Sequence, residues 1–253
     1  MLTAGIDLAA EDTNTAVAWI RWTGTTAVLE ELVIGADDDE LLRAASTADK
    51  VGIDCPLGWP APFVEFIVAH HRGEMVTPTD LIGRDWRRSL AWRHTDLVTR
   101  EVTGRNPLSV AADRIAHTAM RCAGLLARLA AAGQPVDRSG CGTVIEVYPA
   151  ASLRHWELPN QRYKGRRNNG ALNDLMDQLV AATPWLQLGE FESACRHSDH
   201  AVDAVVAALT ARAAAIGHAT RPGPAELASA VTEGWIALPT APLTDLVTAS
   251  ATD

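Results

Sequence analysis

Four carboxylates sit among residues that favour burial. Asp7 follows Gly5-Ile6 in an apolar stretch, and Asp54 follows Gly52-Ile53 in another. Glu146 lies inside Thr-Val-Ile-Glu-Val-Tyr-Pro, and Asp203 lies inside His-Ala-Val-Asp-Ala-Val-Val, which begins at His200. A carboxylate near a core is costly unless it is paired, hydrogen-bonded or bound to a cation. Four in one place need positive charge between them. A hard divalent ion such as Mg²⁺ or Mn²⁺ supplies that charge and prefers oxygen ligands. Each acid also has an ordinary alternative. An Asp at a strand end commonly forms a turn, Glu146 can pair with an arginine, and Asp199 suits the dipole in the first turn of its helix. Asp203 lies one turn further in, about 40° from Asp199 and about 60° from His200 at helical pitch. Asp7, Asp54, Glu146, Asp199 and Asp203 are therefore the candidate metal ligands. Asp7, Asp54, Glu146, Asp203 and His200 are the candidate catalytic residues.

The elements that must position these acids are legible in outline. Thr3–Ala9, Thr15–Thr23 and Ala27–Ile34 read as strands joined by short turns, an antiparallel meander. The run Asp37-Asp38-Asp39 opens a helix to about Ser46, and Val51–Asp54 follows as a short strand. The order β-β-β-α-β demands a mixed sheet with helices packed on it. Residues 57–107, rich in Trp, Pro and Arg, read as a helical insertion. Ser109 to Ala132 reads as a long helix capped by Ser109. Thr143–Tyr148 is a further strand, 158–170 a polar basic loop, and Asn173–Ala182 a helix. Ser198–Ile216 is a second strong helix, and Gly234–Leu238 a last short strand or extended segment. Residues 1–247 are expected to form one domain, with a frayed tail at 248–253.

Composition narrows the classes of function. With 47% hydrophobic and 21% charged residues, disordered and fibrous readings fall away. The net charge of −9 disfavours attachment to nucleic acid by overall charge, but allows a local basic patch. The segment Arg162–Arg167 is such a patch, with Arg162, Lys164, Arg166 and Arg167. Cys55, Cys122, Cys141 and Cys195 show neither a zinc-knuckle spacing nor a disulfide framework. No signal peptide and no apolar run of about 18 residues is visible. A bacterial cytoplasmic protein with no membrane attachment is expected.

The strand order and Gly-Ile-Asp on the first strand resemble the ribonuclease H superfamily, and His200-x-x-Asp203-Ala204 resembles the closing motif of RuvC-type junction resolvases. Gly-Ile-Asp-Leu-Ala, Ile-Asp-Cys-Pro-Leu-Gly, Glu-Val-Tyr-Pro, Tyr-Lys-Gly and Glu-Gly-Trp-Ile-Ala-Leu-Pro are similar to the family labelled domain of unknown function 429, described as predicted nucleases. The resemblance implies an α/β, ribonuclease H-like mixed five-stranded sheet flanked by helices. It places Asp7 and Asp54 on adjacent strands and Asp203 on a late helix, around Mg²⁺ or Mn²⁺. The implied activity is metal-dependent hydrolysis of phosphodiester bonds in DNA or RNA. Two ions about 3.5–4 Å apart would bridge Asp7. His200 would relay a proton, and Arg93 and Lys164 would meet phosphates. Two alternatives compete. One is a phosphotransferase of the actin and sugar-kinase type, disfavoured because Leu-Ala-Ala-Glu-Asp-Thr after Asp7 lacks a phosphate-cradling glycine. The other is a non-catalytic binding module.

The basic loop generates a first prediction. Replacing Arg166 and Arg167 together with alanine should weaken nucleic-acid binding and flatten its salt dependence, because two phosphate contacts are lost. A filter-binding titration across salt concentrations checks it; a steep drop in melting temperature with binding unchanged would make the arginines structural.

Overall fold

The structure, a computed structural model, describes residues 1–76, 79 and 83–247. The tail at 248–253 and the side chain of Arg166 lie outside the described residues. Strands β1 (Leu2–Asp7), β2 (Ala16–Thr23) and β3 (Thr26–Ile34) form the antiparallel meander. Helix α1 (Asp38–Thr47) starts on Asp37, whose side chain accepts the backbone N–H groups of Asp39 and Glu40. It leads to β4 (Lys50–Asp54), which runs parallel to β1. The insertion holds α2 (Ala61–Arg72), α3 (Arg84–Ala91) and α4 (His94–Thr103). Then come α5 (Ala116–Ala131), β5 (Val144–Glu146), α6 (Pro149–His155), α7 (Asn169–Ala182), β6 (Leu186–Gln187), α8 (Glu192–His197), α9 (Asp199–Ala215) and α10 (Leu227–Glu233).

The sheet order is β5-β4-β1-β2-β3-β6, with β4, β5 and β6 parallel to their neighbours. This is a ribonuclease H-like topology, with one strand more than the sequence implies. The extra strand, β6, has two residues, paired to Ala27 and Val28 of β3. Two residues are too few to show an alternating pattern. Two other expectations change. The long helix begins at Ala116, not Ser109; Ser109 instead closes a turn, accepting the N–H of Ala112 and donating to the carbonyl of Ala91. Gly234–Leu238 makes no strand; it touches the sheet through an isolated bridge from Ile236 to Glu146. Among the described residues no helix is long and apolar enough to cross a membrane.

Strand side chains alternate between faces, and that alternation positions the acids. Ala4, Ile6, Val51 and Ile53 point to the face covered by α1 and α5. Gly5, Asp7, Gly52 and Asp54 therefore point to the other face, where α9 lies. Helix α9 is buried all round from Ala201 to Ala214, so it carries no polar stripe. A helix axis ordinarily stands well clear of a sheet. Here the glycines let it sink. A methyl group on Gly5 would overlap the backbone of Ala204 and Ala208, and one on Gly52 would lie 2.6 Å from the carbonyl oxygen of Ala207. The alanines on α9 and the glycines on β1 and β4 together bring helix backbone onto strand backbone.

Gly5→Ala should therefore cost about 3 kcal/mol or more, because backbone cannot move aside as a side chain can. Gly124→Ala is the control. Gly124 lies inside α5 with open space around it, so alanine there should stabilise by up to about 1 kcal/mol. Urea denaturation of both variants checks the contrast; two similar values would contradict the close-packing account.

Candidate metal centre

Gly5-Ile6-Asp7 and Gly52-Ile53-Asp54 lie side by side in parallel register, residue for residue. Asp7 and Asp54 are thus neighbours at the C-terminal ends of adjacent strands. Asp203 reaches the same point from the second turn of α9, whose N-terminus is capped by Ser198 accepting the N–H of Ala201. One oxygen from each of Asp7, Asp54 and Asp203 lies within 4.8 Å of the other two. Asp203 is 1% exposed and Asp7 7%. Three hard oxygen donors at this spacing can hold a metal ion.

Three further groups complete the surroundings. His200 lies with Nδ1 2.6 Å from Oδ2 of Asp7. With a carboxylate as acceptor, Nδ1–H donates and Nε2 is left as the ring's acceptor. Tyr163 donates its hydroxyl to Oδ1 of Asp203 at 2.7 Å. Lys164, the next residue, sets its ammonium 2.5 Å from Oδ2 of Asp203 and 4.0 Å from Oδ2 of Asp54. Consecutive side chains thus grip opposite oxygens of one carboxylate. The chain can turn that sharply because Arg162 takes a left-handed φ of 60° and Gly165 a φ of 90°. Asp199 faces this loop, not the acidic cluster: its Oδ2 accepts the N–H of Gly165 at 2.9 Å.

Crowding and burial shift these groups. Burial pushes the Asp54 carboxyl well above the usual range; Lys164 pulls it back while Asp7 and Asp203 push it further up. Burial raises Asp203 too, against the pull of Lys164. The hydrogen bond to Asp7 raises His200. Burial works against the Lys164 ammonium, yet Asp203 and Asp54 outweigh it and hold it well above the ordinary lysine value. Carboxylates that lift each other's pKa mark a place where a cation is stabilising.

Glu146 is placed differently. Both its oxygens meet the Arg93 guanidinium, at 2.6 and 2.7 Å, and one also accepts the N–H of Leu57. Arg93 binds Asp96 with two further contacts and donates to the backbone carbonyl of Glu233. The arginine is 1% exposed, and its five N–H donors are all used. That geometry engages every N–H of Arg93 and holds Glu146 on the guanidinium, apart from the cluster of Asp7, Asp54 and Asp203. The pair instead ties α4 of the insertion to β5. Glu233, from the Glu-Gly-Trp motif, adds to the clamp by accepting the N–H groups of Ala61 and His94. Gly234 beside it has a φ of 94° and passes so near that a methyl group would lie 2.8 Å from Glu146. The Tyr163 contact was not anticipated, although Tyr-Lys-Gly was visible as a motif.

The matched sequence takes in the acidic cluster, its loop and the Arg93–Glu146 pair, and ends before Glu233. Residues 5–227 fit the family model described as protein of unknown function, DUF429. The chain belongs to that family. No curated protein and no solved structure matches it. In this DUF429 protein the Gly-Ile-Asp motifs of β1 and β4 and the loop motif Tyr-Lys-Gly build the acidic cluster. Glu-Val-Tyr-Pro supplies Glu146 to the buried ion pair.

Glu146→Gln leaves the Arg93 charge balanced by Asp96 but turns an amide N–H towards a guanidinium donor that is then unmet. It should cost about 1–3 kcal/mol of unfolding free energy while leaving the affinity for Mn²⁺ unchanged. Denaturation and calorimetry on the same variant check this. A stable variant that no longer binds Mn²⁺ would return Glu146 to the ligand set.

Proposed function

We propose that this DUF429 protein is a metal-dependent phosphodiester hydrolase acting on nucleic acid. The observation that carries the reading is the convergence of Asp7, Asp54 and Asp203 from β1, β4 and α9 on one point of a ribonuclease H-like sheet. Topology alone does not assign chemistry; the three carboxylates and their neighbours do. A divalent ion held there, Mg²⁺ or Mn²⁺, supplies positive charge against a phosphoryl group and makes water more acidic.

The chain's own residues take the remaining roles. Asp7 orients His200 and fixes its tautomer, so that Nε2 can accept a proton at the mouth of the cluster. Tyr163 fixes the rotamer of Asp203. Lys164 is 53% exposed along its side chain yet has its charge inside the cluster, so it can swing from carboxylate to phosphate. Its presence also limits the number of ions. Three carboxylates against one ammonium leave two negative charges, which one divalent ion neutralises. This favours one ion seated on the three carboxylates, with Lys164 moved off Asp203 but still beside them as the second positive charge, in place of the two-ion site expected from the sequence.

Incubation with single- and double-stranded DNA, RNA and a four-way junction tests the activity. Cleavage of at least one is expected with Mn²⁺, none with EDTA, and none by Asp203→Asn. Calorimetry should find one Mn²⁺ per chain. Lys164→Met should bind Mn²⁺ more tightly or accept a second ion. No cleavage of any substrate by the native protein, with Mn²⁺ bound, would remove the hydrolase reading.

A further inference from the structure

Beside the acidic cluster lies a cavity of about 600 Å³, with Asp7, Asp54 and Lys164 among its lining residues. This is the size of a small-molecule site, not of a groove that follows a duplex. Apart from the cluster and the self-neutralised Arg93–Glu146 pair, every charged side chain lining it is an arginine: Arg105, Arg114 and Arg162. Among the described residues none of the three forms an ion pair. On a protein of net charge −9, three arginines in one concavity, none of them paired with a carboxylate, call for an anionic ligand. Arg105 adds a second sign. Its Nε is buried without a hydrogen-bond partner, an unmet donor that ordinarily has one.

The cavity is also bounded. Two of the chain segments that line it run from Arg105 to Leu108 and from Asn160 to Lys164. Arg105 ties them together by donating to the backbone carbonyl of Asn160 at 2.8 Å and to its side-chain oxygen. A cavity of this size, with its two loops tied together, suits a single nucleotide unit. Leu108 and Ile115 give the wall an apolar portion suited to a sugar or base.

We propose that this cavity binds a single nucleotide phosphate, either a free nucleotide or the end of a strand, with the arginines on its phosphate. The inference rests on the hydrolase reading for the reaction but not for binding. Calorimetry in EDTA therefore tests it first, with adenosine 5′-monophosphate, adenosine and inorganic phosphate as probes. The monophosphate should bind and adenosine should bind at least tenfold more weakly. Arg114→Met with Arg162→Met, both exposed side chains, should weaken the monophosphate at least tenfold with the circular dichroism spectrum unchanged. A second arm compares linear and circular single-stranded DNA with Mn²⁺. If free nucleotide binds but no strand competes for it, the ligand is the free nucleotide; if linear strands compete and are degraded while circles survive, it is the strand end. Circles cut as fast as linear strands, with no binding of the monophosphate, would overturn the inference and leave the hydrolase reading standing. Nucleotide binding without cleavage of any strand would do the reverse.

Discussion

The arrangement depends on one close contact, helix backbone against strand backbone at Gly5 and Gly52. Any side chain at either position would lift α9 off the sheet, because Ala204, Ala207 and Ala208 already fill the space with main-chain atoms. Lifting the helix by the thickness of a methyl group would carry Asp203 away from Asp7 and Asp54. The glycines and the acids two residues later in each strand are therefore one device. The period of two along a strand puts glycine and aspartate on the same face, and parallel register puts the two strands' copies side by side. The alanines of α9 serve the same end from the other side.

The protein then handles two sets of buried acids by different means. Glu146 and Asp96 share one permanent cation, Arg93, whose five N–H donors are all engaged and which is almost wholly buried. Such a pair holds a geometry and cannot release it. Asp7, Asp54 and Asp203 have instead a lysine on an exposed stem and a histidine at one edge. Lysine is a compact charge on four flexible carbons, so its cation can be exchanged for another. The fixed pair lies between the insertion and β5, where rigidity is useful. The exchangeable charge lies where β1, β4 and α9 meet, beside the arginine-lined cavity.

Much of this was legible in the residues. The meander, the order β-β-β-α-β and the late helix follow from alternation, turn residues and helical period. Asp7, Asp54 and Asp203 stood out because each interrupts an apolar run. Glu146 stood out for the same reason yet belongs to a different device, since a buried acid looks the same in sequence whether its partner is a metal or an arginine. Nothing local to Arg93 announces that its partner is 53 residues away. Ser109 misled because a serine before an apolar run satisfies the rule for a helix cap, while its hydroxyl here closes a separate turn. The grip of Tyr163 and Lys164 on Asp203 depends on the left-handed turn at Arg162, a conformation that arginine gives no reason to expect.

The central claim is that Asp7, Asp54 and Asp203 form a cation site in which Lys164 is the exchangeable occupant. Anomalous scattering from crystals soaked in Mn²⁺ tests it most directly. The account predicts one peak bounded by oxygens of those three residues, with the Lys164 ammonium withdrawn from Asp203. No peak there at saturating Mn²⁺, with Lys164 still seated on Asp203, would contradict it and make the lysine a permanent structural partner.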